Sequence, residues 1–347
     1  MKRNLICLIL MLTAVAAFSQ KMKVPANAKA IPVQGMSKTN LQKIKLMQDT
    51  LHLLSNQIVY DSLAPIRRKA NYAFIPKFVA ALKLENSFTF PFDSFETISK
   101  LYPPDSSFRI FTWQLAFTLP VHIPAKYSKT GRDTVFQKPA VRYYGVIQMR
   151  SKELKMFPLY DATDTLSYGT DQVLGAQNWW GQLYYNIIQK SAGGKNYYTL
   201  FGFQAPDVLT RRKIIDILTF DDAGKPKFGA PLFEFKYDST STKTGDTLSR
   251  FFIEYKGDAS TVLNYDRELE MIVFDHVAPP SEKSKGATFT YVPDGTYEGF
   301  KWVNNHWQWI EKVFTFAINE DDNPPIPVPL FGQPKHQPEL PKEGDPR

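Results

Sequence analysis

The chain has 347 residues, 43% hydrophobic and 14% aromatic, with 42 lysines and arginines against 34 acids, a formal net charge of +8 and one cysteine. That length is ample for one or two hydrophobic cores. The basic residues are scattered among acids, with only short clusters such as Arg67-Arg68-Lys69 and Arg211-Arg212-Lys213. A nucleic-acid binder concentrates them on one face or tail, so no nucleic-acid partner is expected; the surplus is read as ordinary solvated charge, with weak attraction to an anionic envelope surface as the alternative.

Residues 1–19 read as a signal peptide. Lys2 and Arg3 form a basic start, Leu5 to Leu12 an apolar stretch, and Ala17-Phe18-Ser19 the small residues of a cleavage site, with cleavage expected before Gln20. The apolar run is too short for a membrane span, which needs about 20 residues, so the mature chain is expected to have no transmembrane segment. Cys7 lies inside that run. The mature chain is then cysteine-free, which excludes disulfides, thiolate zinc sites and a cysteine nucleophile.

After a flexible leader at 20–36 comes a helical region, 37–86. Ile44, Met47, Leu51, Leu54 and Ile58 recur at helical spacing, with Ser37 or Thr39 as cap. A second helical piece runs from Ser62 to about Tyr72, and Pro76 suits the first turn of a third. These helices are expected to pack against a β-domain or to cover a sheet edge; the alternative is a partner-binding helix.

From Ser87 the composition turns aromatic and β-branched, and 87–318 is read as an antiparallel β-domain of about twelve strands. Phe108 to Phe117 is apolar on both faces, as an interior strand is. Val141 to Met149 and Leu154 to Tyr160 form a hairpin around Ser151-Lys152-Glu153. The long polar connection from Asp161 to Asn178 carries Asp161, Asp164 and Asp171, which invite a calcium site, although their spacing does not match an EF-hand loop. Trp179-Trp180 at its end is read as a core anchor, with a ligand platform as the alternative.

The phrases FRIFTWQL at Phe108, VRYYGVIQM at Val141, LKMFPLYD at Leu154, YYTLFGF at Tyr197, RRKIIDILTFDDAGKPKFGAPLF at Arg211, RFFIEYK at Arg250, LNYD at Leu263 and MIVFDH at Met271 resemble, in order, a set of uncharacterised exported proteins of Bacteroidota. The similarity spans roughly residues 60 to 315. It implies an envelope or secreted location in a Gram-negative bacterium and supplies no activity or catalytic residue.

A meander over 182–236 follows, with strands Gln182 to Lys190, Lys195 to Phe203, Arg212 to Phe220 and Lys227 to Lys236. Gly193-Gly194 as a primed turn pairs Ser191 with Asn196 and Ile187 with Leu200. Asp216 lies among apolar neighbours, which calls for a partner such as a nearby arginine or a raised pKa. Pro231 marks an edge or a bulge in the last strand. Beyond the polar turn Tyr237 to Thr247, strands Ser249 to Lys256, Ser260 to Tyr265 and Leu269 to His276 continue the meander. Asp275-His276 is a candidate acid–base pair or half of a metal site, against a plain turn-capping reading.

The hairpin YEGFKWVNNHWQWIEKV, turning at Asn304-Asn305, pairs Val303 with His306, Trp302 with Trp307, and Phe300 with Trp309. Four aromatics then share one face and Glu298 faces Glu311. Two carboxylates beside an aromatic platform are what a retaining glycosidase presents, and bare aromatics stack on sugars; the plain alternative is a core ladder that ends before the glutamates meet. The proline-rich tail, 319–347, reads as extended and disordered. It carries no period for a β-sandwich sorting domain, which favours the periplasm or outer membrane over full secretion.

No G-x-S-x-G, P-loop, G-x-G-x-x-G or H-E-x-x-H motif occurs and the five histidines are dispersed, so no cofactor is expected. The fold expected is mainly β: a large antiparallel meander, as an irregular propeller, barrel or sandwich, under an N-terminal α-helical layer. The expected function is non-catalytic binding of a glycan or an envelope protein; the alternative is a hydrolase of envelope polysaccharide.

Overall fold

The computed structural model describes residues 35–166, 171–235 and 247–314. The expected signal peptide, nearly all of the leader and of the 237–247 turn, and the proline-rich tail lie outside the described residues.

Helix α1 (Lys38–Tyr60) starts at Ser37, whose hydroxyl accepts the Asn40 N–H at 3.1 Å, satisfying one of the donors that a helix start leaves open. Ile44, Leu51 and Ile58 of the expected stripe are fully buried, with Met47 and Leu54 packed beside them. The second and third helical pieces are one helix, α2 (Ala64–Leu82), with Pro76 inside it. Proline there leaves the Tyr72 carbonyl without its helical donor. The helix continues through Pro76, which lies with Tyr72 on its exposed face, where a freed carbonyl can turn to solvent.

Sixteen strands follow among the described residues. The first sheet is β1 (Ser99–Leu101), β2 (Phe108–Ile123), β3 (Thr134–Met149) and β4 (Met156–Tyr160), in that order. Next in the chain come β5 (Leu174–Gly175), β6 (Leu183–Ala192), β7 (Lys195–Gln204), β8 (Thr210–Phe220) and β9 (Pro226–Phe228). The last are β10 (Phe233–Glu234), β11 (Thr247–Leu248), β12 (Arg250–Lys256), β13 (Leu263–Asp266), β14 (Met271–Ala278), β15 (Val292–Val303) and β16 (His306–Ile310). The second sheet has the order β5-β9-β8-β7-β6 with β12 also on β8, and the third the order β11-β10-β16-β15-β14-β13.

The molecule is mainly β, with antiparallel sheets, one curled into a half-barrel, and two N-terminal helices. Three apolar clusters fill the spaces between successive layers. Phe74 and Phe78 of α2 meet Phe111, Trp113 and Leu115 of β2. Phe108, Ile110 and Ile147 on the other face of the first sheet meet Tyr198, Leu200, Ile214 and Leu218 of the second. Ile215, Ile217 and Phe201 on the far face of the second meet Phe274, Phe300 and Trp307 of the third. β2 and β8 are therefore apolar on both faces because both faces are covered.

The expected start of the β-domain at Ser87 is corrected to Ser99. Residues 87–98 instead wrap around Arg109, whose guanidinium is fully buried and has no carboxylate within ion-pair distance among the described residues. It donates to Gln148 Oε1 at 2.8 Å, the Phe90 carbonyl at 2.6 Å, Tyr102 Oη at 3.0 Å and the Ser87 carbonyl at 2.9 Å. The rings of Phe88, Phe92 and Phe111 lie 4.9–5.4 Å from it. Burial lowers its pKa, and four hydrogen bonds plus ring faces replace the missing counter-ion. Phe92 is held at φ 51°, a strained conformation for a bulky side chain that surrounding packing must impose.

The meander's first hairpin has the expected register, Ser191↔Asn196 and Ile187↔Leu200, with Gly193 and Gly194 at φ 56° and 75°. The expected strand Lys227 to Lys236 is corrected: it is two pieces in different sheets. β9 pairs antiparallel with β8, whereas β10 runs parallel to β16. Gly229 at φ 102° and Pro231 lie in the step between them. Proline donates to no ladder, and here it marks a change of sheet. β12 takes over the vacated edge of β8 and sets Arg250 opposite Asp216. Both side chains are buried, 3.5 Å apart, which supplies the arginine partner that Asp216 required.

Candidate functional site

The terminal hairpin has the expected register, Val303↔His306, Trp302↔Trp307 and Phe300↔Trp309. Asn304 and Asn305 turn it at φ 51° and 67°, as a primed turn demands. Its aromatics do not form a platform. Phe300 and Trp307 are fully buried, and Trp302 and Trp309 pack against the same core.

The ladder ends at Gly299↔Ile310, one step short of Glu298 and Glu311. Glu298 Oε2 accepts the Trp309 indole N–H at 3.1 Å, and its Oε1 lies 3.8 Å from His276 Nε2. His276 Nδ1 is 2.6 Å from Asp294 Oδ2. Burial pushes the Glu298 carboxyl up, the Trp309 N–H and His276 pull it down, and Glu311 and Asp294 raise it again.

Asp275 and His276 do not act together. Asp275 is buried and accepts the Val262 N–H at 2.5 Å, and burial raises its pKa. The register shifts between Asp275 and Val277, a bulge that re-aims the imidazole. In place of the candidate pair Asp275-His276, His276 stands in the row Asp294–His276–Glu298, which sequence adjacency concealed.

The calcium candidates are not assembled either. Asp161 accepts the Tyr143 N–H at 2.8 Å and the Thr163 N–H at 3.0 Å, and Asp164 is bound by Arg142 at 2.6 Å. Asp171 is exposed, and its backbone carbonyl accepts from Ser249. Among the described residues no group of three or more His, Cys, Asp or Glu side chains is placed to hold a metal ion. Trp179 and Trp180 are core residues: Trp179 Nε1 donates to Tyr184 Oη at 2.8 Å, and the Trp180 ring is covered by Phe252 and Arg250.

A cleft of about 650 Å³ lies instead between α2 and the helix-side face of β2, β3 and β4. Ile75, Phe78 and Val79 form its helix wall, and Trp113, Leu115, Phe117, Tyr144, Val146 and Met156 line the sheet side. Trp113 is stacked on Tyr144 with centroids 5.6 Å apart and 12° between planes, and its indole N–H donates to Asn71 at 2.8 Å. Burial, and then the Tyr72 phenol, push the Tyr144 hydroxyl up. Gly145 serves the opposite face of the sheet, where a Cβ would meet Leu159 at 2.9 Å and the Phe111 carbonyl at 3.1 Å.

The rim carries Arg68, Tyr72, Arg142, Tyr160 and Asp161. Tyr72 and Tyr160 are 64% and 54% exposed, so their rings stand at the mouth. Arg68 stacks over Phe117 at 5.3 Å. Arg142 and Asp161 are tied to chain groups, Arg142 also reaching the Asp161 carbonyl at 3.3 Å. The interior thus offers apolar surface with its polar groups already engaged. Reading the helices as cover for the β-domain missed this gap, and no run or spacing in the sequence marks the tyrosines at 72, 144 and 160 that meet there.

No protein-family model matches this chain, and no curated protein matches it in sequence.

Proposed function

We propose that this chain is an exported envelope protein that binds a protein partner without catalysing a reaction, and that the cleft beneath α2 receives an apolar segment of that partner. The observation that carries the reading is the composition of the cleft: apolar walls, tyrosines at the mouth, and two charged rim groups, Arg142 and Asp161, already bonded within the chain. A pocket of this volume and lining suits apolar side chains. A glycan would need a bare aromatic face and free hydrogen-bonding groups. The Trp113 face is covered by Tyr144, and Arg142 and Asp161 are engaged. The basic start, apolar stretch and small-residue cleavage site of residues 1–19 support export.

The test places a photo-crosslinking side chain at Tyr160 and examines envelope fractions. The expected result is one discrete protein adduct that disappears when Val79→Trp fills the cleft. An adduct pattern unchanged by Val79→Trp, or retention on envelope polysaccharide abolished by it, refutes the reading.

The row Asp294–His276–Glu298 favours a second reading, hydrolysis of an envelope polysaccharide, in which Glu298, its carboxyl raised by burial, serves as the acid. Release of reducing ends from that polymer, lost in Glu298→Gln and retained in Val79→Trp, would establish it.

A further inference from the structure

The strands β2 and β3 do not stop where the first sheet stops. β1 pairs with β2 only over Ile110–Thr112, and β4 with β3 only over Tyr144–Gln148. Beyond Phe117↔Ala140 the two strands continue as a pair through Thr118↔Pro139 to Ile123↔Thr134, with no third strand beside them among the described residues. A two-stranded ribbon is marginal in water by itself, so this finger is built for a surface it does not yet touch.

Its side chains say which surface. Leu119, Val121 and Ile123 lie opposite Lys138, Phe136 and Thr134, continuing the face of Trp113, Leu115 and Phe117 out of the cleft. Leu119, Tyr127, Val135 and Phe136 are 45%, 70%, 61% and 47% exposed. Within the same segment stand Lys126, Lys129, Arg132 and Lys138, against the single acid Asp133. Asp133 is occupied by the Ala125 N–H at 2.7 Å and by His122 at 3.6 Å, the finger's one ion pair among the described residues. Lys126 folds over the Tyr127 ring at 4.6 Å.

We propose that this finger docks the protein on an anionic lipid surface, with Tyr127, Phe136 and their apolar neighbours in the headgroup region and the cations against lipid phosphates. Tyrosine suits that interface because its ring is apolar and its hydroxyl wet. Lysine and arginine lay their stems along apolar surface while their charges stay at the phosphates. Strand addition by a peptide is the competing use of a free ribbon. Pro120 and Pro139 oppose it, since each removes a backbone donor from one of the two strands.

The test is co-sedimentation of the full chain with vesicles of phosphatidylglycerol in phosphatidylcholine, against phosphatidylcholine alone. Binding is expected to the anionic vesicles only and to weaken as salt rises. Lys129→Gln with Arg132→Gln should lower affinity roughly 25-fold, about fivefold per cation. Tyr127→Ser with Phe136→Ser should lower it at least about tenfold. All four positions are on the finger, so the cleft-dependent crosslink from Tyr160 should survive in both variants. An environment-sensitive dye on Tyr127→Cys, in a chain with Cys7→Ser, should shift to the blue on anionic vesicles. No binding at low salt, binding unaffected by both pairs, a dye that stays in water on bound protein, or a protein captured by the finger without lipid would each overturn the proposal.

Discussion

Removing one member of the buried Asp216–Arg250 pair should be far more damaging than removing both. The side chains are 0% and 1% exposed, with Nη2 3.5 Å from Oδ1. At an effective dielectric of about 20 that separation is worth about 5 kcal/mol of attraction, set against a desolvation cost of several kcal/mol per ion. Asp216→Asn takes away the carboxylate that faces the buried guanidinium. Arg250→Met leaves a buried carboxylate whose Oδ1 keeps only the Ile217 N–H at 3.0 Å. Each single variant should lose about 3–5 kcal/mol. The double variant should lie only about 2 kcal/mol below the parent, because the carbonyls of Gln172 and Phe228 still lose the Arg250 donors.

Urea unfolding of all four proteins would give a coupling energy of at least about 3 kcal/mol. Acid adds a sign test. Burial already pushes the Asp216 carboxyl up against the pull of Arg250, and Arg250→Met removes that pull. A folded pKa above the unfolded one means that the folded state binds the proton more tightly. Arg250→Met should therefore regain stability as pH falls from neutral through the raised value towards about 3.9. Additive losses, or a deficit unchanged by acid, would refute the account.

Three further outcomes follow from single sites. Arg109→Lys cannot reproduce four directed donations and should cost about 2–4 kcal/mol in urea unfolding. Pro76→Ala restores an N–H for the Tyr72 carbonyl on the solvent face of α2 and should raise stability by about 1–3 kcal/mol, read as a higher unfolding midpoint. Glu298→Gln keeps an acceptor for Trp309 but no titration. Because burial raises the folded carboxyl, the variant should be more stable than the parent at neutral pH, with the difference closing as pH falls through the raised value towards about 4.3.

Local chemistry determined a good deal by itself. The Ser37 cap and the Ile44–Ile58 stripe of α1 follow from 3.6-residue periodicity and one hydroxyl. Both hairpin registers, at Gly193-Gly194 and Asn304-Asn305, follow from turn residues that accept positive φ. The double-faced apolar texture of Phe108 to Phe117 in β2 foretold a strand covered on both sides. These are short-range rules that tertiary context left intact.

The remaining decisions needed the folded chain. Pro76 continued a helix because its face met solvent, and Pro231 became a crossing between sheets because β12 was available for the vacated edge of β8. The aromatic run at 88–95 left the strand pattern because Arg109 gathered its rings and carbonyls. His276 found Asp294 and Glu298 rather than its neighbour Asp275, since a bulge decides where an imidazole points. The cleft is a gap between a helix and a sheet that no linear pattern encodes. The finger is legible only once the ends of β1 and β4 show how much of β2 and β3 stands alone. Periodicity and turn chemistry thus set the elements, whereas the sites arose from which faces and edges packing left uncovered.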